Sequence, residues 1–245
     1  MRGDAVNLTF LTWNMDHWKR TKKQRSTAWK YLTENIHFGV ALLQECVPPH
    51  EMNNHNNVIY REIGGNRKWG SAVVTFDFPV RELEFKNTYP GAVVAAEVFL
   101  PDDTVITAIS LYGVIDSDGY VTVSLHKMLS DLTPLLHGER SKRWFIIGGD
   151  LNVSLQWDEQ YKNRDPAHKI VFDRLEDFGL VNCTYQYYQG HIKTNRHPRS
   201  KIPWQNDYIF ASKKISDKLF SCHVIENEMI RELSDHNPVV TIFNL

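Results

Sequence analysis

The feature that most constrains the fold is a series of short runs of β-branched and other apolar residues, separated by glycine, proline and polar residues. Runs of this length favour strands over helices. Strands outnumber helices, which favours two packed sheets with helices outside over a doubly wound sheet. The predicted strands are 8–14, 40–45, 70–76, 91–100, 104–113, 143–152, 206–212, 222–225 and 238–243.

Three segments between these strands have helical spacing. In 24–38 the residues Ala28, Trp29, Leu32 and Ile36 lie on one face, and an apolar stripe from Leu125 to Leu136 and the segment 167–178 predict two more helices. The three successive strands 70–76, 91–100 and 104–113 suggest an antiparallel meander. The fold class predicted from these elements is α+β.

Length and composition bound the function. At 245 residues with 42% hydrophobic residues, the chain fits one domain over 1–245. The 28 Lys and Arg balance 29 Asp and Glu, so a phosphate-binding surface must be local. We find no signal peptide or membrane-spanning run, which predicts a cytoplasmic protein with no membrane partner. The three cysteines, Cys46, Cys183 and Cys222, are interpreted as ordinary apolar residues.

Polar residues follow the predicted strands at their ends. Any one of them is more often a turn former or a helix cap. Several at once, at the strand ends where layered α/β proteins bind ligands, predict a shared site. Oxygen ligands without cysteine suit Mg²⁺ or Mn²⁺ and point to phosphoester chemistry. These residues are Asn14 and Asp16, Gln44 and Glu45, Tyr112, Asp150 and Asn152, Asp207, and Asp235 and His236.

Five motifs carry a resemblance to a known family. TWNMD (12–16), LLQE (42–45), GGDLN (148–152), NDYIF (206–210) and SDHNPV (234–239), in this order, resemble the signature of the endonuclease/exonuclease/phosphatase superfamily over the whole chain. The resemblance implies a four-layer α/β/β/α sandwich, as in deoxyribonuclease I, and a metal-dependent phosphoric ester hydrolase. Nucleases, phosphatases and sphingomyelinases share this scaffold, so the fold does not choose the substrate.

The same resemblance implies roles for the site residues. Glu45 would be the principal metal ligand, and Asp16 and Asp235 would bind the metal directly or through water. Asp150 would orient and deprotonate the attacking water, and Asn152 would position that water or the phosphate. His236 would contact a phosphate oxygen, with Asp207 holding its other nitrogen, and Asn14 and Tyr112 would complete the phosphate cradle.

The chain departs from two branches of the family. Abasic-site endonucleases typically follow the tyrosine with Pro and Asn, whereas Tyr112 leads into GVIDSDG (113–119). Inositol-polyphosphate phosphatases usually carry Trp-Cys-Asp-Arg where this chain has WQNDY (204–208). Both departures disfavour those two specificities.

Local charge bears on the substrate. Two basic stretches, 17–25 and 191–204, flank motifs of the predicted site. Charge runs are usually solvated faces, but two beside one phosphoesterase centre favour a nucleic acid, DNA or RNA. A phosphatase or phosphodiesterase acting on a small or lipid phosphate remains the alternative, and a binding module without catalysis is a third. The candidate substrate-binding residues are Lys19, Arg20, Lys22, Lys23, Arg196, Arg199 and Lys201.

Overall fold

A computed structural model describes residues 7–52, 57–115, 120–137, 144–197 and 200–245. The strands form two six-stranded sheets. They are β1 (Asn7–Asn14), β2 (Val40–Cys46), β3 (Val58–Gly64), β4 (Arg67–Thr75), β5 (Val80–Glu82), β6 (Val93–Phe99), β7 (Val105–Leu111), β8 (Trp144–Asp150), β9 (Leu180–Asn182), β10 (Asp207–Ser212), β11 (Leu219–Val224) and β12 (Val239–Asn244). The helices are α1 (Lys22–Asn35), α2 (Val121–His137), α3 (Leu155–Gln160), α4 (Ala167–Asp177), α5 (Cys183–Tyr188), α6 (Lys213–Ser216) and α7 (Glu228–Leu233).

Each sheet has a parallel pair of strands at its centre. The first sheet has the order β11-β12-β1-β2-β4-β3, and the second has the order β5-β6-β7-β8-β10-β9. The parallel pairs are β1 with β2, joined by α1, and β7 with β8, joined by α2. All other pairings are antiparallel.

Alternation along the strands creates the layers. In β1, Leu8 and Phe10 belong to a cluster that contains residues of both sheets, such as Ile106. Leu11 and Trp13, one position on, pack instead with the buried face of α1. The outer face of the second sheet is covered in the same way by α2 and α4. The result is the four-layer α/β/β/α arrangement predicted from the motifs. Because successive side chains of a strand point to opposite faces, one side chain packs between the sheets and the next packs against the helices.

Some sequence-based predictions fail in detail. The predicted antiparallel meander is wrong, because β4 pairs with β2 and β3 in the first sheet while β6 and β7 pair with each other in the second. The polar segment between β4 and β6 crosses from one sheet to the other, and strand spacing alone does not show this crossing. The strands β3, β5 and β9 were not predicted, since they lie at or next to sheet edges and are only partly buried.

Other predictions are consistent with the structure. All three cysteines are free and buried. Within the ranges that the structure describes, no helix has the length and apolar character needed to cross a membrane.

The topology brings the polar strand ends to one edge. The carboxyl ends of the parallel strands β1 and β2 lie side by side, as do those of β7 and β8. The strand β10 runs antiparallel to β8, so its first residue, Asp207, pairs with Asp150, the last residue of β8. In the same way β12 begins opposite the end of β1, with Val239 paired to Thr12. Residues just before β10 and β12 therefore meet those just after β1, β2 and β8.

Two adjacent glycines allow the close approach at this edge. A β-carbon on Gly148 would lie 2.7 Å from Leu42 Cδ1, a flexible side chain of the facing sheet. A β-carbon on Gly149 would lie 1.7 Å from the carbonyl oxygen of Leu111. Backbone cannot move aside without displacing β7, whereas a leucine can change its rotamer.

The two glycines predict unequal effects of the same substitution. We expect Gly148→Ala to lower the free energy of unfolding by about 1–3 kcal/mol, the usual cost of overpacking, and Gly149→Ala to lower it by more. Urea unfolding of both variants beside the unsubstituted protein measures the difference. Equal costs would contradict the close approach of β7 to β8 at Gly149.

Candidate active site

Asp150 is the most completely held carboxylate at this edge. It is buried, with 1% of its surface exposed. Its Oδ2 accepts hydrogen bonds from Asn14 Nδ2 at 2.9 Å and from Asn152 Nδ2 at 3.2 Å, and its Oδ1 accepts one from the Asn152 amide at 2.9 Å. Burial raises the pKa of Asp150, although the neighbouring His236 opposes the shift. The carboxylate is therefore fixed in orientation and a stronger proton acceptor than an exposed aspartate.

His236 is held through both ring nitrogens. Its Nδ1 lies 2.8 Å from Asp207 Oδ2, and its Nε2 lies 2.8 Å from Asn195 Nδ2 and 3.7 Å from Asp150 Oδ2. Burial alone would lower the pKa of His236, but Asp207, Asp150 and Asp235 outweigh burial and raise it to about 10. A protonated imidazole donates through both nitrogens, so its Nε2 would donate to the amide oxygen Oδ1 of Asn195. In the neutral form, Nε2 would instead accept a hydrogen bond from Nδ2 of Asn195.

The three predicted metal ligands lie beside this pair. Glu45 and Asp16 are both buried, and the segment after β1 continues along β2, since the amide of His17 donates to the carbonyl of Glu45 at 3.0 Å. Burial raises the pKa of Glu45 and of Asp16. Burial also acts to raise the pKa of Asp235, but His236 and Lys19 outweigh it and lower that pKa.

The backbone at the site is strained. Among the residues that the structure describes, five other than glycine have positive φ, and three of these are Asp16, Glu45 and Asn152, with φ of 51°, 47° and 52°. This region is unfavourable for residues other than glycine, and least so for Asn and Asp. Such strain persists where the surroundings over-determine it, as at ligand sites.

Asn14 and Tyr112 line the same edge. Both act to lower the pKa of Glu45, against the larger effect of burial, so both lie close to its carboxylate. Burial, followed by the charges of Glu45 and Asp150, raises the pKa of Tyr112 well above its usual range, so the phenol stays protonated. Asn14 thus contacts carboxylates from both sheets, Glu45 and Asp150.

The predicted substrate-binding residues differ in their environments. Lys19 lies 2.9 Å from Asp235 Oδ2 and 3.5 Å from Asp16 Oδ1, and Arg20 lies 2.6 Å from Asp16 Oδ2, so both are paired with site acids. Lys22 and Lys23 are exposed at the start of α1. Arg196 is half-buried and donates to the carbonyl of Ser234 and the side chain of Asn237. Lys201 is exposed, and Arg199 lies outside the described residues.

Sequence reasoning missed Asn195 and two hydroxyls that support the site. Asn195 contacts His236 through its side chain and through an isolated β-bridge. Ser234 Oγ accepts from the His236 amide at 2.9 Å and donates to the carbonyl of Asn14 at 2.7 Å. Thr194 Oγ1 accepts from the amides of Asn206 and Asp207. Asn195 and Thr194 lie in a loop away from any predicted strand end, so no local signal marks them.

The raised pKa of His236 predicts a pH dependence of stability. In metal-free protein the proton on His236 contributes stability that is complete below about pH 6.5 and is lost as the pH rises to about 10. Asp207→Asn removes the largest of the charges that raise this pKa, so the unfolding free energy should depend less on pH in that window, by about 1.4 kcal/mol per pKa unit removed. Chemical denaturation in EDTA from pH 6 to 10 measures this, and histidine NMR titration gives the pKa directly. An unchanged His236 midpoint in the variant would contradict the coupling.

Solved structures of other proteins have the same arrangement of sheets and helices, although sequence comparison finds no relative. No family model matches the chain, and no curated protein matches it by sequence. Among solved structures, an AP endonuclease from Leishmania major is similar with a TM-score of 0.74 and 17% identity, over 98% of this chain and 88% of that one. A 3′ phosphatase from Neisseria, solved with a product DNA hairpin, has a TM-score of 0.74 and 16% identity, over 97% and 100% of the two chains.

A third similar structure is the endonuclease domain of the telomere-specific non-LTR retrotransposon TRAS1. Its TM-score is 0.69 at 19% identity, over 98% of this chain and 99% of that one. The protein therefore shares the fold of these three structures, the deoxyribonuclease-I-like fold that the five motifs predicted.

Proposed function

We propose that the protein is a metal-dependent phosphoric ester hydrolase, a nuclease that cleaves a phosphodiester bond of DNA or RNA by attack of water on phosphorus. The observation that carries the proposal is the juxtaposition of Asp150 with the Asp207–His236 pair, in which Asp150 Oδ2 lies 3.7 Å from His236 Nε2. An oriented proton acceptor beside a buried imidazole that holds a proton suits this reaction.

The residues present fit a divalent cation. Asp16 and the neighbouring Glu45 have buried carboxylates, and the Asp16 oxygens already attract positive charge, since they are paired with Lys19 at 3.5 Å and Arg20 at 2.6 Å. Oxygen-only ligands of this kind suit Mg²⁺ or Mn²⁺. Glu45, Asp16 and Asp235 would hold the ion. When bound, the ion supplies positive charge that stabilises the charge developing on the phosphate and the leaving oxygen.

A second group of atoms has metal-ligand spacing. Within the described part of the chain, ligand atoms of Asp150, Asp207 and His236 all lie within 4.8 Å of one another. Here His236 Nδ1 is hydrogen-bonded to Asp207, and Asp150 already accepts three hydrogen bonds from amide donors, which leaves room for a water but not for a shared cation. We therefore assign the cation to the Glu45 side and proton transfer to this group.

The chain's own residues supply the rest of the reaction. Asp150 accepts the proton of the attacking water, and the side chain of Asn152 fixes the carboxylate toward it. His236 donates through Nε2 to a phosphate oxygen, while Asp207 keeps the ring oriented and charged. Asn14 and Tyr112 are neutral donors at the same edge, so they bind phosphate oxygens without adding charge.

The alternative substrate class is a small or lipid phosphate. The pairing of Lys19 and Arg20 with Asp16 and Asp235 favours it, because paired cations are less available to a polymer backbone. The second basic stretch favours the nucleic acid, since its cations are only partly paired. We therefore keep the nuclease as the leading proposal.

The first test is hydrolysis by the unsubstituted protein and Asp150→Asn. The substrates are single- and double-stranded DNA, RNA, an abasic-site duplex and a phosphate monoester, each with Mg²⁺, Mn²⁺ or EDTA. We expect metal-dependent cleavage of a nucleic acid, reduced about 10²- to 10⁴-fold in the variant because a general base is lost. The exposed Asp165→Asn is the matched control. Turnover of the monoester alone would reject the nuclease in favour of the alternative.

The second test separates metal binding from folding. Glu45→Gln should weaken Mn²⁺ binding about tenfold or more, as even outer partners of metal ligands do when removed. The same variant should be no less stable in EDTA at pH 7, because the raised pKa of Glu45 means that its buried charge opposes folding in the absence of metal. Titration calorimetry and thermal unfolding measure the two quantities. Unchanged Mn²⁺ affinity would remove Glu45 from the ligand set.

A further inference from the structure

A cavity of about 450 Å³ is lined in part by Asn195, the residue whose side chain contacts His236, and we call it the basic cavity. Its charged lining consists of Lys193, Arg196, Lys201, Arg231 and Glu226. Four cations thus face one carboxylate, in a chain whose formal net charge is −1. Positive charge concentrated in a concave surface attracts an anion much more strongly than the same charges spread over a face.

Most of the residues that line the basic cavity lie between Lys193 and Pro203, in a loop that is hydrogen-bonded to the segment carrying His236. Asn195 lines the cavity and also contacts His236 Nε2 at 2.8 Å. Next to it, the amide of Arg196 donates to the carbonyl of Asp235 at 2.9 Å, and the amide of Asn237 donates to the carbonyl of Thr194 at 2.7 Å. The cavity wall and the segment 234–237 are therefore one hydrogen-bonded unit, and Asn195 links the cavity to His236.

The cations of the cavity are not equally available. The guanidinium of Arg196 is committed to Ser234 and Asn237, so it contributes a fixed charge. Arg231 lies 3.0 Å from Glu226, and Lys193 lies 3.9 Å from the same carboxylate with 43% of its side chain exposed. Lys201 is exposed, and no ion pair to it is found among the described residues. Lys193 and Lys201 are thus the two flexible donors that can close on a ligand.

We propose that the basic cavity binds a second phosphate of a nucleic-acid substrate, the backbone phosphate next to the one being cleaved. This inference rests on the proposed function. Two anion-binding places side by side, one at His236 and one in the cavity, match a polymer whose phosphates repeat along the backbone. Such contacts fix the register of the strand on the protein and carry no base specificity.

The test is the double variant Lys193→Ala/Lys201→Ala, assayed on two substrates. The first is a fluorescent oligonucleotide of the type that the unsubstituted protein cleaves, and the second is bis(p-nitrophenyl) phosphate, which has one phosphate only. We expect KM for the oligonucleotide to rise about tenfold with little change in kcat, and its dependence on salt to fall by about one unit of log–log slope per lysine. The loss on the single-phosphate substrate should be several times smaller.

The matched control is Lys213→Ala/Lys214→Ala, which removes two lysines just after β10, at the end opposite Asp207. It should affect neither substrate. Equal losses on both substrates in the cavity variant, an unchanged KM and salt slope, or the same change in the control would each overturn the inference. If the unsubstituted protein cleaves neither substrate with any metal, the proposed function fails instead; binding of the oligonucleotide in EDTA then still tests the cavity, with the same tenfold weakening expected.

Discussion

The active edge depends on two buried side-chain contacts that join the sheets. Asn14, at the end of β1, donates to Asp150, at the end of β8, and His236, before β12, contacts Asp207, at the start of β10. A buried polar group left without its partner costs about 1–3 kcal/mol, and a charged one costs more. These contacts fix the register of β1 and β8 within their own sheets, because a slip of either strand by one residue would turn Asn14 or Asp150 to the opposite face.

A second set of hydrogen bonds joins the two sheets between β2 and β7. Gln44 Nε2 donates to Ser110 Oγ at 2.9 Å, and Ser110 Oγ donates to the carbonyl of Leu43 at 2.8 Å. Gln44 precedes Glu45 in the motif, yet its side chain is fully buried between the sheets. It therefore positions the strand that carries Glu45. Neighbouring residues in one short motif thus serve the fold and the site separately. The pairing of β2 with β4 shifts register between Leu43 and Cys46, and the positive φ of Glu45 takes this residue out of the regular alternation of the strand.

The sequence predicts the structure best where a local pattern of apolar and polar residues determines it. Buried central strands such as β8 and the helix α1 are predicted because their periodicity is strong, and the site edge is predicted because polar residues follow those strands. The partners of Lys19 and Arg20 were not predictable, since charge runs are usually solvated and the acids they meet depend on the positions of separate loops. The same holds for Asn195, which reaches His236 from a loop 41 residues away in sequence.

Two of the acids that would bind the metal are paired with two basic side chains in the metal-free protein. Asp16 and Asp235 are close enough to raise the pKa of Asp16, and Lys19 and Arg20 offset that repulsion. A divalent cation on the same carboxylates must compete with these side chains, so Lys19 and Arg20 oppose metal binding and also keep the metal-free fold from carrying unpaired buried acids. The positive φ of Asp16 and Glu45 adds a backbone cost at the same two residues. Both costs fall on groups that would face the ion, while the stabilising apolar clusters lie behind them in the three cores. Packing elsewhere thus holds the proposed metal ligands in place despite their backbone strain and mutual repulsion, and binding of a cation is expected to relieve the repulsion.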